Sequence, residues 1–80
     1  MTTRTKTSKR SLSHDLRRFG ERLAAQRHQL GQTQADLAAS MDISIAYVSL
    51  LERGRRNPPY TTVLALARAL GVTAIKLVAE

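Results

Sequence analysis

The chain of 80 residues has no cysteine and no tryptophan, so it can form neither a disulfide nor a thiolate metal site. It has only three aromatics, Phe19, Tyr47 and Tyr60, which leaves the core to Leu, Ile, Val, Met and Ala. Acids are scarce, 6 Asp and Glu against 13 Lys and Arg. Asp36, Asp42 and Glu52 show no paired spacing for acid–base chemistry. With four glycines there is no glycine-rich phosphate loop. No apolar run approaches the ~20 residues of a membrane span. The first ten residues are polar with no hydrophobic stretch behind them, unlike a secretory signal. These absences predict a soluble, cytoplasmic, non-enzymatic protein with no cofactor, no membrane and no small-molecule ligand. His14 and His28 have no ligand-spaced neighbours and read as surface side chains rather than metal ligands.

What is present is positive charge, +7 overall. It is placed unevenly. Residues 1–18 carry Arg4, Lys6, Lys9, Arg10, Arg17 and Arg18 against Asp15 alone. Such an excess attracts polyanions, whether nucleic acid, anionic membrane or acidic protein. A chain of this length makes one domain that buries roughly 60% of its unfolded surface.

The apolar spacing is helical throughout, with no strand alternation and no repeat. Residues 1–12 read as a disordered basic arm and 13–80 as the folded domain. A first helix is expected from about Asp15 to Gln29, capped by Ser11 or Ser13 and buried through Leu16, Phe19, Gly20, Leu23 and Ala24. Arg17, Arg18, Glu21, Arg22 and Gln26 take its outer face, and Gly31 ends it. Thr33, with Asp36 three residues on, opens a second helix that stops at Asp42. Ser44 caps a third, from Ile45 to Arg53, ending at Gly54. The basic loop Arg55-Arg56-Asn57-Pro58-Pro59 stays extended before its prolines. A fourth helix runs from Thr61 to Leu70, and a fifth, capped by Thr73, from Ala74 to Val78. The fold class is all-α, with five helices.

Residues 34–53 have the length of a helix-turn-helix unit. Ala38 is small enough for close helix crossing, and Asp42 tolerates positive φ at the turn. Ile43, Val48 and Leu51 face inward. Ser44, Ile45, Ala46, Ser49, Leu50 and Arg53 lie on the outer side of the third helix, the side that enters a DNA major groove in such units.

Gln34-Ala35-Asp36-Leu37-Ala38, Ile43-Ser44, Tyr47-Val48-Ser49-Leu50-Leu51-Glu52-Arg53-Gly54, Arg56-Asn57-Pro58 and Ala67-Arg68-Ala69-Leu70-Gly71-Val72 occur in that order. Together they resemble the Cro/phage-repressor type of helix-turn-helix protein, also called the xenobiotic-response-element family. The resemblance covers about Phe19 to Val78. It implies a lambda-repressor-like five-helix domain, bacterial or phage-encoded, binding double-stranded DNA as a homodimer on a two-fold operator. It further implies phosphate contacts by Thr33, Gln34, Arg53, Arg55, Arg56 and Asn57. Base reading falls to Ser44, Ile45, Ala46, Tyr47, Ser49 and Leu50, and a buried structural pair to Arg27 and Glu52. A helix N-terminus suits a phosphate, since it presents N–H groups and a positive dipole.

Two positions depart from the family pattern. Asp42 stands where glycine is usual. Ile45, Ala46 and Leu50 stand where polar readers are common, so no Arg, Gln or Asn sits early in the third helix. Those side chains could touch thymine methyls, or they could meet an apolar protein partner, as in an antitoxin. In the arm, Arg4, Lys6, Lys9 and Arg10 could follow phosphates or act only as an electrostatic tether. On the fifth helix, Ile75 beside inward-facing Leu77 and Val78 is a candidate dimer contact or a partly covered core residue. The combined expectation is a dimeric repressor, either phage repressor-like or restriction–modification controller-like, regulated by its own concentration.

Overall fold

The computed structural model describes residues 9–79, with side chains from Ser11 onward. Five helices follow one another: α1 (Lys9–Gln29), α2 (Gln34–Met41), α3 (Ile45–Glu52), α4 (Tyr60–Leu70) and α5 (Ala74–Val78). No strand occurs among the described residues.

The first helix begins earlier than the expected Asp15. Ser11, Ser13 and Asp15 lie inside it, and its first turn holds no acid. The segment Lys9–His14 contains no Gly or Pro, and Leu12 continues the stripe of Leu16 and Phe19 at helical spacing. Extending a helix already nucleated by packed turns costs little. Residues 9–12 therefore belong to α1 rather than to an arm. Arg4 and Lys6 lie outside the described residues, as do the side chains of Lys9 and Arg10.

The inner helices start and stop on local chemistry. At α2 the Thr33 hydroxyl accepts from the Asp36 backbone N–H at 3.0 Å, and the Thr33 N–H donates to the Asp36 carboxylate at 2.8 Å. That is a complete capping box, built with Asp in place of the usual Glu. Asp42 ends α2 with φ 57° and ψ 44°, the described non-glycine residue with positive φ. The Ser44 hydroxyl caps α3 by accepting from the Tyr47 N–H at 3.0 Å. Thr73 holds the N-cap position of α5, but its side chain makes no capping bond.

Every helix sends a side chain to one core: Leu23 from α1, Leu37 from α2, Val48 and Leu51 from α3, Leu66 from α4 and Leu77 from α5 are all completely buried. Phe19, Ala38, Val63, Ala67 and Leu70 complete it. Truncating such a leucine to alanine costs about 2–5 kcal/mol, so the core is what sets the relative placement of α2 and α3.

One close crossing positions the site. Gly20 of α1 lies directly on the C-terminal turn of α3. A methyl group there would sit 2.6 Å from the Leu51 carbonyl oxygen and closer still to that of Glu52. Only glycine permits this approach, and it brings α1 against the end of α3.

Candidate nucleic-acid interface

The α2–turn–α3 unit places its outward side chains on one surface. On α3, Ser44, Ile45 and Ala46 are exposed, Ile45 at 53%. Tyr47, Ser49 and Leu50 are half-buried, while Val48 and Leu51 take the inward direction. The exposed part of the helix is thus its first turn, and Leu50 offers only part of its side chain. The Ser44 hydroxyl oxygen already serves as a cap, which leaves its hydrogen for donation. The first turn of α3 holds no acidic residue to offset its positive end.

At the start of α2 the expected phosphate donors divide into two kinds. Thr33 is exposed, but its N–H and hydroxyl are both engaged in the capping box with Asp36. Those hydrogen bonds, the backbone one first, hold the Asp36 carboxyl below its ordinary range. The N–H groups of Gln34 and Ala35 are the ones left open at this end, as helix geometry requires. The side chain of Gln34 turns inward, its amide nitrogen donating to Glu52 Oε1 at 3.0 Å.

Gln34 thereby joins a buried cluster. Arg27 Nε donates to Glu52 Oε2 at 2.6 Å and Arg27 Nη2 to Oε1 at 2.9 Å, a two-pronged pair. The two side chains are 8% and 7% exposed. Arg27 Nη1 also donates to the Gln32 carbonyl at 2.7 Å, tying the α1–α2 turn to α3. The bond to Glu52 raises the Arg27 pKa against the opposing effect of burial. Burial pushes the Glu52 carboxyl up, but the hydrogen bonds from Arg27 and Gln34, with the charges of Arg27 and His28, together hold it below its ordinary value.

The loop after α3 opens on a left-handed Gly54, φ +72°. The Gly54 N–H donates to the Leu51 carbonyl at 3.1 Å and the Arg55 N–H to that of Leu50 at 2.9 Å. This paired closure is a Schellman motif, and it turns the chain out of the helix at Arg53. Arg53, Arg55, Arg56 and Asn57 are all exposed there. The Arg56 guanidinium carbon stands 5.5 Å from the centroid of the Tyr47 ring. Among the described residues none of these arginines has a carboxylate partner. The contacts of Gln34 with Glu52 and of Arg56 with Tyr47 join residues far apart in sequence, and no local spacing signals them.

This geometry has known counterparts. Residues 18–79 match a family model described as a helix-turn-helix domain. The chain belongs to that family. The helix-turn-helix domain is 45% identical over 65 residues to the HTH-type transcriptional regulator y4dJ of Sinorhizobium fredii, covering 80% of this chain and 84% of that protein. It is 38% identical to an immunity repressor protein of Bacillus phage phi105, over 76% of this chain and 42% of that protein. Among solved structures it resembles the restriction-modification controller protein C.AhdI from Aeromonas hydrophila, with a TM-score of 0.77 and 38% identity, covering 80% of this chain and 97% of that one. The protein is a DNA-binding transcriptional regulator of the Cro/phage-repressor type.

Elsewhere in the helix-turn-helix domain, α5 departs from expectation. Leu77 is buried, but Val78 is 52% exposed and Ile75 63%. In so short a helix only one direction faces the core, and Leu77 with half-buried Ala74 takes it. Ile75 and Val78, three residues apart, share the outward side. Among the described residues no helix is long and apolar enough to cross a membrane, and no group of three His, Asp or Glu could hold a metal ion.

Proposed function

We propose that this regulator is a homodimeric repressor that binds a two-fold DNA site. The first turn of α3 enters the major groove, with Ile45 and Ala46 against thymine methyls and Ser44 donating a hydrogen bond. Tyr47, Ser49 and the accessible edge of Leu50 border that contact. Phosphates on one flank meet the open N–H groups of Gln34 and Ala35 beside Thr33. Phosphates on the other flank meet Arg53, Arg55, Arg56 and Asn57. The carrying observation is the exposed apolar Ile45 on the same helix-turn-helix surface as Arg53, Arg55 and Arg56, which have no carboxylate partner among the described residues. An apolar reading face yields few hydrogen bonds to bases, so selectivity leans on thymine contacts and on DNA shape.

The exposed Ile75–Val78 pair supports α5 as the isologous contact between protomers. Any contribution of Arg4, Lys6, Lys9 and Arg10 adds electrostatic grip. The chemistry needs no catalytic group, metal or cofactor. Selection of bound sites from random duplex DNA tests the reading and should return a palindrome. Arg53→Ala or Arg56→Ala should weaken all sequences alike, whereas Ile45→Ala should change base preference at particular positions. Binding that does not weaken with salt would defeat the DNA role for this surface and direct attention to a protein partner such as a toxin.

A further inference from the structure

The approach of α1 to the loop after α3 brings a fourth arginine to the cluster. A methyl group placed on Gly54 would come 2.8 Å from the Arg17 Cα, 2.9 Å from its nitrogen and 3.0 Å from its Cγ. The first part of the Arg17 side chain therefore lies along the bare backbone of Gly54, between Arg53 and Arg55 in sequence. All three arginines are exposed. Arg17 has no hydrogen bond or ion pair among the described residues.

The acids near this point do not neutralise it. Glu52 is committed to Arg27 and Gln34. Glu21 stands four residues beyond Arg17 on α1, but its carboxylate is 3.8 Å from Arg18 and forms no ion pair with Arg17. Asp15 is two residues from Arg17 on the same helix, a spacing that does not face it. Like charges gathered without a counter-charge repel one another, and an external anion relieves that repulsion. The planar guanidinium fork suits a phosphate diester.

We propose that Arg17 holds a DNA backbone phosphate together with Arg53 and Arg55, so that α1 contributes a phosphate contact from outside the helix-turn-helix unit. The inference rests on the DNA-binding reading above. Gly54 is central to it, because any side chain there would separate α1 from the loop and divide the cluster.

The test is a salt titration of binding between 50 and 200 mM, by fluorescence anisotropy, for the full chain and for Arg17→Gln and Arg17→Lys. Each is measured on a duplex selected from random DNA and on an unselected duplex of equal length. Arg17→Gln should lower the log–log salt slope by about 0.9, the value for one phosphate. Its deficit relative to wild type should shrink roughly 3.5-fold between the two salt concentrations, and it should be equal on both duplexes. Arg17→Lys should keep the wild-type slope. Thermal melting of each variant ensures that folded protein is compared. An unchanged slope in Arg17→Gln, or a deficit confined to the selected duplex, would overturn the assignment of Arg17 while leaving the DNA-binding reading intact. A wild-type slope of zero would overturn that reading itself.

Discussion

The guanidinium of Arg56 rests over the ring of Tyr47, 5.5 Å from its centroid, so a loop residue is held by a residue of α3. An aromatic face attracts a cation by about 0.5–1 kcal/mol at an exposed site. The contact narrows the range of Arg56 without neutralising it, which keeps the charge available. Tyr47→Phe, which retains the ring, should leave DNA affinity close to wild type. Tyr47→Ala should weaken binding, and in a double-mutant cycle with Arg56→Ala the two losses should be non-additive by about 0.5–1 kcal/mol. Additive losses would show that the ring does not position Arg56.

Gly20 should be the least replaceable glycine. Alanine in a helix interior is normally favoured over glycine by about 1 kcal/mol. Here its methyl group would run into the carbonyl oxygens of Leu51 and Glu52, which are backbone and cannot rotate away. Overpacking costs about 1–3 kcal/mol and more where backbone must move. Gly20→Ala should therefore lower the midpoint of denaturant unfolding. A rise would mean that α1 and α3 are less tightly apposed.

Arg27 and Glu52 should behave as a unit. Arg27→Met leaves a buried carboxylate with only Gln34 as partner and should cost about 3–5 kcal/mol in chemical denaturation. Removing both charges, as Arg27→Met with Glu52→Leu, should cost clearly less than the sum of the single changes. Equal costs for the sum and the double variant would show that the pair is not coupled.

The same cluster sets an acid limit. The Glu52 carboxyl is held below its ordinary value of 4.5 in the folded chain. Because the folded pKa is the lower one, the stabilisation is fully present above about pH 4.5 and is lost as pH falls through the depressed folded value. Stability measured by urea unfolding should fall across that acid range in wild type, and the fall should be shallower in Glu52→Gln. Identical profiles would assign the acid limit to other carboxylates.

Asp42 adopts φ 57° without being glycine. The left-handed region costs most side chains about 1–2 kcal/mol, and Asp tolerates it better than most. Asp42→Gly should be neutral to slightly stabilising, by less than about 1 kcal/mol, because relief of the strain is partly offset by a more flexible unfolded chain. Asp42→Val should destabilise by more than that. Calorimetric melting of the two variants distinguishes them, and a stable valine variant would contradict the left-handed turn.

Much of this architecture follows from interactions between residues close in sequence. The spacing of Leu16, Phe19 and Leu23, the Thr33–Asp36 capping box, the Ser44 cap and the stops at Asp42 and Gly54 each act within a few residues. The order and type of the five helices could therefore be read from the chain directly. The early start of α1 could not, because its first two turns hold no signal as strong as the caps elsewhere and rely on extension of a packed helix. The outward position of Val78 also depended on which single direction of a five-residue helix meets the core.

The site divides along the same line. The sequence alone determined that α3 presents an apolar first turn and that arginines crowd the loop after it. Only the tertiary structure decided that Gln34 turns toward Glu52, that Arg56 lies over Tyr47 and that Arg17 lies along Gly54. Each of these contacts depends on how closely α1, α2 and α3 approach, and that distance is set by a shared core and by the missing side chain of Gly20. Local chemistry chose the elements, whereas packing chose which of their charges stand together.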